Sequence, residues 1–440
     1  MSAPVITLLA KRRFGPIFAV QFLGAFNDNL LKFAMFLFAN FTIYADEPAK
    51  AEQLATLATG LFILPYMLFS ALAGQLADKL DKARLVRLIK LAEVLFMGVG
   101  LAGFWFQSVS LLMMALFLMG LHSTIFGPVK YSILPQHLDK DELMGGTGLI
   151  EAGTFLAILG GQLFAGVVRP WEAGLTATGL ALVGYLASLA VPPAPASAPN
   201  GKAELNLIKG SWHVLMLARQ ARSVWLAILG SSWFFAVGAV VLSEFAPLVN
   251  TVLAARQEVA TLFLLIFSVS IAGGSIFVGK LQKGIVSARY VPASALVMAG
   301  FLIDLWIATS GFNVTHRGAS ITLFLASQGS WHIMFALAGV AFAGGMFIVP
   351  LYAVMQTHSA PEVRSQAIAA NNIVSAALTV LLVGLVGILA QLGVGVPGII
   401  GALSFATLIV ALIACYLLPG AIIKGLLRHI MALRAPTSCS

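Results

Sequence analysis

The chain has 440 residues, of which 60% are hydrophobic and only 10% are charged, and its mean hydropathy is +0.96. Soluble domains contain about 25% charged residues, so this composition excludes an ordinary soluble protein. The formal net charge of +9 does not indicate a nucleic-acid partner, because the basic residues follow the loops of a membrane protein.

The long apolar segments predict a bundle of membrane-spanning helices. They lack the alternation of a membrane barrel, and helices satisfy their own backbone hydrogen bonds in lipid. Twelve spans are predicted, near residues 14–43, 54–77, 85–106, 109–134, 143–168, 173–191, 223–249, 259–279, 290–311, 331–356, 365–391 and 396–418. We therefore expect an all-α polytopic membrane protein.

The basic residues also predict the orientation of the chain. Twenty lysines and arginines, Lys90 among them, fall on one side of the predicted spans, and Lys32 and Lys130 fall inside them. Four fall on the other side: Lys50, Arg169, Arg256 and Arg317. Because basic loops remain in the cytoplasm, we expect both termini to be cytoplasmic.

A central linker divides the twelve spans into two sets of six. It begins with a proline-rich spacer and continues at 204–220 with an amphipathic segment that could lie along the inner membrane surface. The predicted organisation is an N-terminal six-helix bundle over 1–191, a cytoplasmic linker over 192–221, a C-terminal six-helix bundle over 222–418 and a cytoplasmic tail over 419–440.

Neither catalytic nor metal-binding motifs stand out in the sequence. Two cysteines, Cys415 and Cys439, form neither a disulfide framework nor the spacing of a metal site. The chain also lacks a phosphate-binding glycine loop and a nucleophile elbow. We therefore expect that the protein is not an enzyme and that it binds neither a cofactor nor a metal.

Span 1 contains charged and amide side chains where hydrocarbon should surround it: Asn27, Asp28, Asn29 and Lys32. A charge at mid-membrane depth costs about 2.5–3.5 kcal/mol on insertion scales, so such groups mark a buried partner or a binding site. Asp28 and Lys32 are four residues apart, in the favourable order for a local ion pair. A purely structural pair is therefore the alternative to a ligand site.

Further polar groups inside the spans are candidates for the same site. Lys130 and Tyr131 lie near the end of span 4, and Glu151 lies in span 5, where it could bond Lys130. His122 is interpreted as an interhelical hydrogen-bonding residue or, as the alternative, a proton relay. Two more charges have no partner visible in the sequence: Glu93 and Asp304.

Aromatic residues mark the equivalent span of the second half. Trp233 and Phe234 lie in span 7, which corresponds to span 1, and Phe26 precedes the polar cluster of span 1. We expect the aromatic residues of span 7 to face that cluster across a shared cavity, with packing against lipid as the alternative. A cavity with one charged and one aromatic wall suits an amphiphile.

The two halves also share a pattern within the spans. Tyr131 and Glu151 align with Tyr352 and Asn372, which lie 221 residues later. Parallel repeats of six spans are typical of transporters in which two bundles rock around a central site.

A loop motif is repeated as well. Gly74, Asp78 and Arg84 follow span 2, and a related segment begins at Gly279 after span 8, with Lys283 in place of the aspartate. The first copy resembles the loop signature of the major facilitator superfamily. In that family the glycine permits close helix approach and the aspartate caps or pairs across the two halves. The resemblance implies gating roles for Gly74, Asp78 and Arg84.

Three segments resemble the bacterial lysophospholipid transporter family, a branch of that superfamily: Gly24 to Lys32, Phe126 to Pro135 and Glu142 to Thr154. The resemblance implies two six-helix bundles that move lysophosphatidylethanolamine and related lysolipids from the outer to the inner leaflet of the bacterial cytoplasmic (inner) membrane. It implies alternating access with lateral access for the lipid, between spans 5 and 8 or spans 2 and 11. Reacylation would need a separate acyltransferase and acyl-carrier-protein ligase, and we expect the transporter to be a monomer.

The residues singled out above suit such a substrate. Lys32 or Lys130 would bind the phosphate, and Asp28 or Glu151 the ammonium. The amides of span 1 would bind the glycerol hydroxyl, Tyr131 would line the site, and the aromatic residues would contact the acyl chain: Asn27, Asn29, Phe26, Trp233 and Phe234. Two alternatives remain, a proton-driven exporter of amphipathic drugs that protonates Asp28 or Glu151, and a membrane sensor or scaffold that transports nothing.

Overall fold

The structure is a computed structural model that describes residues 5–201, 203–314 and 317–417. These residues are helical, and the only β-pairing among them is one isolated bridge between Ala255 and Ala319. The tail predicted at 419–440 lies outside the described residues.

Thirteen long helices follow one another in the described chain. They are α1 (Gly15–Phe38), α2 (Pro48–Lys79), α3 (Lys82–Trp105), α4 (Val109–Ser132), α5 (Leu143–Ala165), α6 (Pro170–Leu189), α7 (Leu207–Gln220), α8 (Arg222–Ser243), α9 (Glu258–Leu281), α10 (Val291–Ser310), α11 (Ser330–His358), α12 (Arg364–Gln391) and α13 (Val396–Leu417). Shorter helical turns lie at Val5–Ala10, Ala39–Ile43, Leu134–His137, Phe245–Pro247, Leu248–Val252, Ile321–Ala326 and Pro361–Val363. Helices α1 to α6 are spans 1 to 6, α7 lies in the linker, and α8 to α13 are spans 7 to 12.

All twelve predicted spans are long helices, which confirms the predicted fold class. Eleven helices in the described chain are long and apolar enough to cross a membrane. Helix α3 is not among these eleven, and it carries five charged residues: Lys82, Arg84, Arg87, Lys90 and Glu93. It nevertheless packs along α4 and α6, and so it is the twelfth helix of the bundle.

The helices form two six-helix bundles. Helices α1 to α6 pack mainly on one another, and so do α8 to α13. The bundles meet where α2 contacts α12, α5 contacts α9 and α11, and α4 contacts α12. We propose that the bundle boundaries lie at 1–191 and 222–418, with the linker between them.

The linker helix α7 connects the bundles on their outside. The side chain of Asn206 caps it by accepting hydrogen bonds from the first turn, one of them 3.1 Å from the backbone N–H of Ile208. Small residues bury its inner face against α2 and α12: Gly210, Val214 and Ala218. Ile208 and Trp212 point away from the bundles and are 84% and 64% exposed. The predicted amphipathic segment is a helix, and its place along the membrane surface stays a prediction.

The bundles touch closely at one end, where the loops 79–82, 133–142, 282–290 and 358–364 lie; it is here called the basic end because it is the side with more lysines and arginines in the sequence. A Cβ atom added to Gly148 of α5 would lie 2.6 Å from the carbonyl oxygen of Ser275 of α9. At Gly284, whose φ of +79° favours glycine, it would lie 2.4 Å from the carbonyl oxygen of Asp141. Backbone therefore meets backbone along this contact.

Helices α2 and α12 form the second contact of the basic end. The buried carboxylate of Asp78 accepts hydrogen bonds from the backbone N–H groups of Ser365 (3.1 Å) and Gln366 (3.3 Å), in the first turn of α12. These N–H groups have no partner within their own helix, so the carboxylate of one bundle caps a helix of the other. Asp78 thus makes the contact that the loop motif implies, and its role in gating stays a prediction.

The other motif residues lie in different surroundings. Arg84 is exposed. Its backbone N–H donates to the side chain of Asp81 (2.9 Å), which is the N-cap of α3, so this hydrogen bond lies within the first bundle. The buried basic residue here is Lys82, whose ammonium donates to Ser197 (2.8 Å) in the linker. Lys283, in the second copy, occupies the turn before Gly284.

The bundles diverge at the end opposite the basic end. No residue of the described chain between Ala377 and Gly393, in the outer half of α12, is buried. Leu381 of α12 and Leu57 of α2 are 65% and 64% exposed. The exposed aliphatic side chains of α12 cover about 200° of its circumference, since successive residues are about 100° apart. The outer parts of α2 and α12 therefore present apolar surfaces that do not pack against the rest of the described protein, and the space that they border is here called the cleft.

We expect Gly74→Val to open the basic end. A Cβ atom at Gly74 would lie 2.6 Å from the Cβ atom of Ala369 and 2.9 Å from the carbonyl oxygen of Ser365, so α2 and α12 must separate. The measurement is alkylation of Ser132→Cys, which is buried at this contact, in a background without Cys415 and Cys439. The rate should rise at least several-fold. Gly60→Val on the same helix is the control, because nothing lies within 4 Å there; equal rates in both variants would contradict the prediction.

We expect Asp78→Ala to weaken closure of the same end without unfolding the protein. The variant removes a cap that exists only while α2 and α12 touch, and an interaction made in one state alone shifts the population between states. A lost cap costs about 1 kcal/mol, or about a fivefold change in population. Alkylation of Ser132→Cys reports the change. Asp81→Ala, which removes a cap within the first bundle, should leave the alkylation rate unchanged.

Candidate functional site

Consecutive polar residues of α1 point to three different neighbours, because successive side chains on a helix diverge by about 100°. The buried Asn27 faces α3 and α6, where it donates to Glu93 (3.0 Å) and to the carbonyl of Ala177 (3.2 Å). Asn29 faces α5 and accepts a hydrogen bond from Gln162 (3.3 Å). The two amides predicted to bind a hydroxyl therefore already have protein partners, in different places.

Asp28 lies between them and faces α4. One carboxylate oxygen, Oδ2, accepts a 2.5 Å hydrogen bond from the hydroxyl of Ser123. The other oxygen, Oδ1, is shielded from solvent and has no hydrogen-bond donor in the described protein. An acceptor of this kind in a low-dielectric interior is suited to a cationic donor from a ligand.

The predicted ion pair between Asp28 and Lys32 is absent from the described structure. The Lys32 ammonium instead lies 5.3 Å from the ring centroid of Phe62 on α2, a cation–π contact. The two side chains turn to different helices: a hydroxyl on α4 bonds the Asp28 carboxylate, and an aromatic ring on α2 contacts the Lys32 ammonium. Neither side chain forms an ion pair in the described structure, so both charges, about one helical turn apart on α1, remain available to a ligand.

Behind Asp28 lies a fully buried polar network. Lys90 and Glu93, three residues apart on α3, form an ion pair, and the Nε2 atom of His122 lies 3.2 Å from Oε2 of Glu93. Asn27 donates to the other oxygen of Glu93. Lys90, counted above with the basic residues of one side, is buried inside the bundle, and its side chain turns inward because Glu93 lies one helical turn away.

A second group of polar residues lies where α4, α5 and α11 meet. The rings of Tyr131 and Tyr352 stack across the two bundles with centroids 4.0 Å apart. The hydroxyl of Tyr131 donates to Glu151, and the Lys130 ammonium lies 4.5 Å from the centroid of the Tyr131 ring. The bond suggested between Lys130 and Glu151 is absent, since the tyrosine hydroxyl occupies the carboxylate.

The second half repeats this arrangement with neutral groups. The hydroxyl of Tyr352 accepts a hydrogen bond from Asn371 (3.3 Å), whose Oδ1 accepts one from Ser231 (2.5 Å). The repeat in the sequence aligns Asn372 with Glu151, but the residue that bonds Tyr352 is its neighbour Asn371. Asn372 lies one position further around α12 and faces Gly127 instead.

The aromatic residues lie apart from the polar cluster of α1. Phe234 packs against Phe155 of α5, with centroids 6.3 Å apart, and contacts Gly344 of α11. The expectation that it faces α1 is therefore wrong, because α5 lies between. Trp233 is half-buried, and its indole N–H has no hydrogen-bond partner in the described chain. Phe26 packs against Phe164 of α5 (6.1 Å).

Asp304 has a partner that the sequence did not reveal. Its carboxylate lies 2.7 Å from the Nε2 atom of His332 on α11, and both side chains are partly exposed on the outside of the second bundle. The described residues contain no group of three or more His, Cys, Asp and Glu arranged to hold a metal ion. Of the charged candidates from the sequence, Asp28, Lys32, Lys130 and Glu151 thus lie inside the first bundle, on α1, α4 and α5, and Asp304 lies apart from them.

This arrangement can bind a molecule that has both charges and an apolar chain. Asp28 offers a free acceptor, Lys32 and Lys130 offer ammonium groups, and the outer half of α12 offers an apolar wall. Sequence reasoning missed Ser123, Gln162 and Lys90. Only Lys90 had a signal, its spacing of three residues from Glu93, whereas a hydroxyl or an amide in a span has no signature of its own.

Comparisons with known proteins agree with this architecture. Residues 17–316 match the family model of the Major Facilitator Superfamily. The chain is 28% identical over 408 residues to a protein of Enterobacter sp. (strain 638) named lysophospholipid transporter LplT, covering 90% of this chain and 94% of that protein. It is 25% identical over 417 residues to LplT of Salmonella arizonae, covering 93% and 96%. The predicted resemblance to lysophospholipid transporters is confirmed.

Solved structures share the fold at low sequence identity. The human organic anion transporter MFSD10 superposes with a TM-score of 0.71 at 13% identity, covering 91% of this chain and 98% of that one. The fucose:proton symporter FucP of E. coli superposes with a TM-score of 0.62 at 14% identity, covering 90% and 97%. With the family model matched over 17–316 and the fold shared along nearly its whole length, this chain belongs to the major facilitator superfamily.

Proposed function

We propose that this protein moves lysophospholipids, such as lysophosphatidylethanolamine, from the outer to the inner leaflet of a bacterial inner membrane. The observation that carries the proposal is the carboxylate oxygen of Asp28 that has no donor in the described protein, in a bundle that also holds Lys32 and Lys130 without ion pairs, together with the exposed apolar surface of α12. The names of the relatives found above support the substrate class.

The polar groups fit the headgroup in a specific order. Asp28 would accept the ammonium through its free oxygen, while Lys32 and Lys130 would pair with the phosphate. Asn29, held by Gln162, is the amide nearer the glycerol hydroxyl, since Asn27 is committed to Glu93. Asn27 then acts by fixing α1 against α3. Glu151 and Tyr131 form the floor beneath the headgroup.

The acyl chain would remain in the apolar cleft between α2 and α12. Each buried methylene is worth about 0.8 kcal/mol, so drawing a whole chain through water would cost more than a few polar contacts return. The exposed aliphatic residues of α12 offer an apolar surface that is continuous with the lipid. Trp233, which is half-buried, would contact the chain where it approaches the centre of the protein, whereas Phe26 and Phe234 pack against α5.

The remaining parts of the proposal follow from this direction of transport. The basic end would face the cytoplasm, because basic loops are retained there, and both termini would lie on that side. Alternating access would open the basic end after the cleft closes. A separate acyltransferase and acyl-carrier-protein ligase would then reacylate the lipid, and the transporter would act as a monomer.

We expect Asp28→Asn to abolish lysophosphatidylethanolamine uptake while membrane expression stays near normal. The amide keeps the shape but loses the charge that would bind an ammonium, and losing a charge inside a span eases insertion. Uptake of labelled lipid into spheroplasts that lack their own transporter measures the loss, which should exceed tenfold.

Asp304→Asn is the matched control for this variant. It removes a carboxylate of another span that pairs with His332 away from the cleft, so uptake should persist. Wild-type uptake by Asp28→Asn would reduce Asp28 to a packing role. Uptake that a proton uncoupler stops, without preference for any headgroup, would favour an exporter of amphipathic drugs.

We expect the route between α2 and α12 to admit the lipid. Bismaleimide reagents of increasing length would join Leu57→Cys on α2 to Ile388→Cys on α12, both exposed beside the cleft, in a background without Cys415 and Cys439. Reagents that span the gap should reduce binding of lysophosphatidylethanolamine by at least tenfold, because the chain can no longer pass sideways.

A crosslink between α5 and α9 is the matched comparison. Leu163→Cys and Leu265→Cys lie in the outer halves of these helices and are partly exposed. Joining them restrains the same two bundles but leaves the α12 cleft open, so binding should be retained. Equal loss with both crosslinks would contradict a portal at α2 and α12, and full activity with both would indicate an aqueous route.

A further inference from the structure

The linker helix α7 has one apolar face that the rest of the described chain leaves exposed. Ile208, Trp212 and Met216, spaced four residues apart, form a ridge along it, and Leu205 extends the ridge before the helix begins. Residues four apart share a helix face, because four residues turn the chain by about 400°. The ridge lies opposite the face that packs against α2 and α12.

The helix lies at the level of a membrane surface. Only Ala221 separates its last residue, Gln220, from Arg222, where α8 (span 7) begins. A spanning helix begins at the boundary between headgroups and hydrocarbon, so α7 lies beside that boundary. An exposed tryptophan such as Trp212 is typical of this depth, because its ring is apolar and its N–H is polar. Lipid is therefore the neighbour that meets the ridge.

Basic side chains flank the ridge, and α7 contains no acidic residue. Lys209 and Arg219 are exposed, and neither forms an ion pair within the described chain. The guanidinium carbon of Arg219 lies 5.7 Å from the ring centroid of Trp225 on α8, a cation–π contact that positions the side chain without using its N–H groups. Unpaired groups of this kind bind the phosphates of anionic lipids at a membrane surface.

The linker is also bonded to the contact that closes the basic end. The backbone N–H of Ala198 donates to the carbonyl of Asp78 (2.8 Å), the residue that caps α12. The backbone N–H of Glu204 donates to the side chain of Gln75 (2.7 Å), one turn earlier on α2. Helix α7 itself packs against α2 of the first bundle and α12 of the second. When α2 and α12 separate, α7 cannot stay packed against both.

We propose that the exposed face of α7 is a docking surface for anionic phospholipid, and that the bound lipid holds the basic end closed. Lys209 and Arg219 bind the lipid phosphates, while the ridge of Ile208, Trp212 and Met216 enters the acyl chains. A lipid surface that fixes α7 between α2 and α12 favours the closed state, because it binds that state more tightly than the open one. This surface lies outside the transport site, and its role does not depend on which molecule the protein transports.

Spin labels on the full-length protein in nanodiscs test the docking, in a background without Cys415 and Cys439. A label at Ile208→Cys should be more accessible to oxygen, which concentrates among acyl chains, than to a water-soluble nickel complex. A label at His213→Cys is the control, because this exposed position of the same helix lies about 140° from the ridge, and it should show the reverse. Greater accessibility to the nickel complex at both positions would overturn the docking.

Alkylation of Ser132→Cys in the same background tests the effect on closure. The rate is compared in nanodiscs of phosphatidylcholine and in nanodiscs that also contain phosphatidylglycerol. Both leaflets of a nanodisc have the same composition, so the orientation of the protein does not affect the comparison. Phosphatidylglycerol should slow alkylation several-fold, because each basic residue beside an anionic surface contributes about a fivefold factor in binding.

Lys209→Gln combined with Arg219→Gln should remove this slowing. The matched control is Arg12→Gln combined with Lys140→Gln, which removes the same charge from exposed residues elsewhere at the basic end and should keep the slowing. Equal alkylation rates in the two lipids, or slowing that persists without Lys209 and Arg219, would overturn the proposal. Neither measurement uses a lysolipid, so this proposal and the proposed function can fail separately.

Discussion

The free energy of placing a charge in hydrocarbon decides where the polar side chains of this protein lie. No water is at hand to solvate them, so each charged group of the first bundle turns to a carboxylate, an aromatic ring, a hydroxyl or an amide of another helix. Lys90 forms an ion pair with Glu93, Lys32 contacts the ring of Phe62, and Asp28 accepts a hydrogen bond from Ser123. These contacts fix α1 against α2, α3 and α4, and the cleft takes its shape from the helices so fixed.

A second constraint concerns the ends of the helices. The first N–H groups of α12 need acceptors, and the carboxylate of Asp78 supplies them from the opposite bundle. The contact between α5 and α9 needs no capping carboxylate, because glycines let the two backbones approach closely. Closure of the basic end therefore depends on neutral donors and small residues more than on ion pairs, and few strong bonds must break to open it.

The sequence was sufficient for the fold but only partly for the site. Hydrophobic length and basic loops predicted twelve helices, and the loop motif led to the contact of Asp78 with α12. The cluster at Asp28 was visible because charges are rare in apolar segments. The direction of a side chain was not visible, so Lys90 was counted with the basic residues of one side although it is buried in the bundle.

The choice of partner depends on geometry that a sequence does not contain. Glu151 bonds Tyr131 rather than Lys130, and Tyr352 bonds Asn371 rather than its neighbour. A shift of one residue on a helix turns a side chain by about 100°, which is enough to exchange one partner for another. Arg84 shows the same limit, since a motif gives the residue but not the direction of its side chain.

The two walls of the cleft differ in a way that bears on how a lipid would travel. The first bundle holds the charged groups Asp28, Lys32 and Lys130, whereas the polar groups that join α8 to α12 in the second bundle are neutral and bond one another: Ser231, Ser232, Asn371 and Ser375. A headgroup bound by charge, as proposed, would therefore be held by the first bundle alone. As the bundles rock, the headgroup would move together with α1 and α4 while the second bundle moves past the acyl chain. The displacement of the first bundle would then set the distance that the headgroup moves.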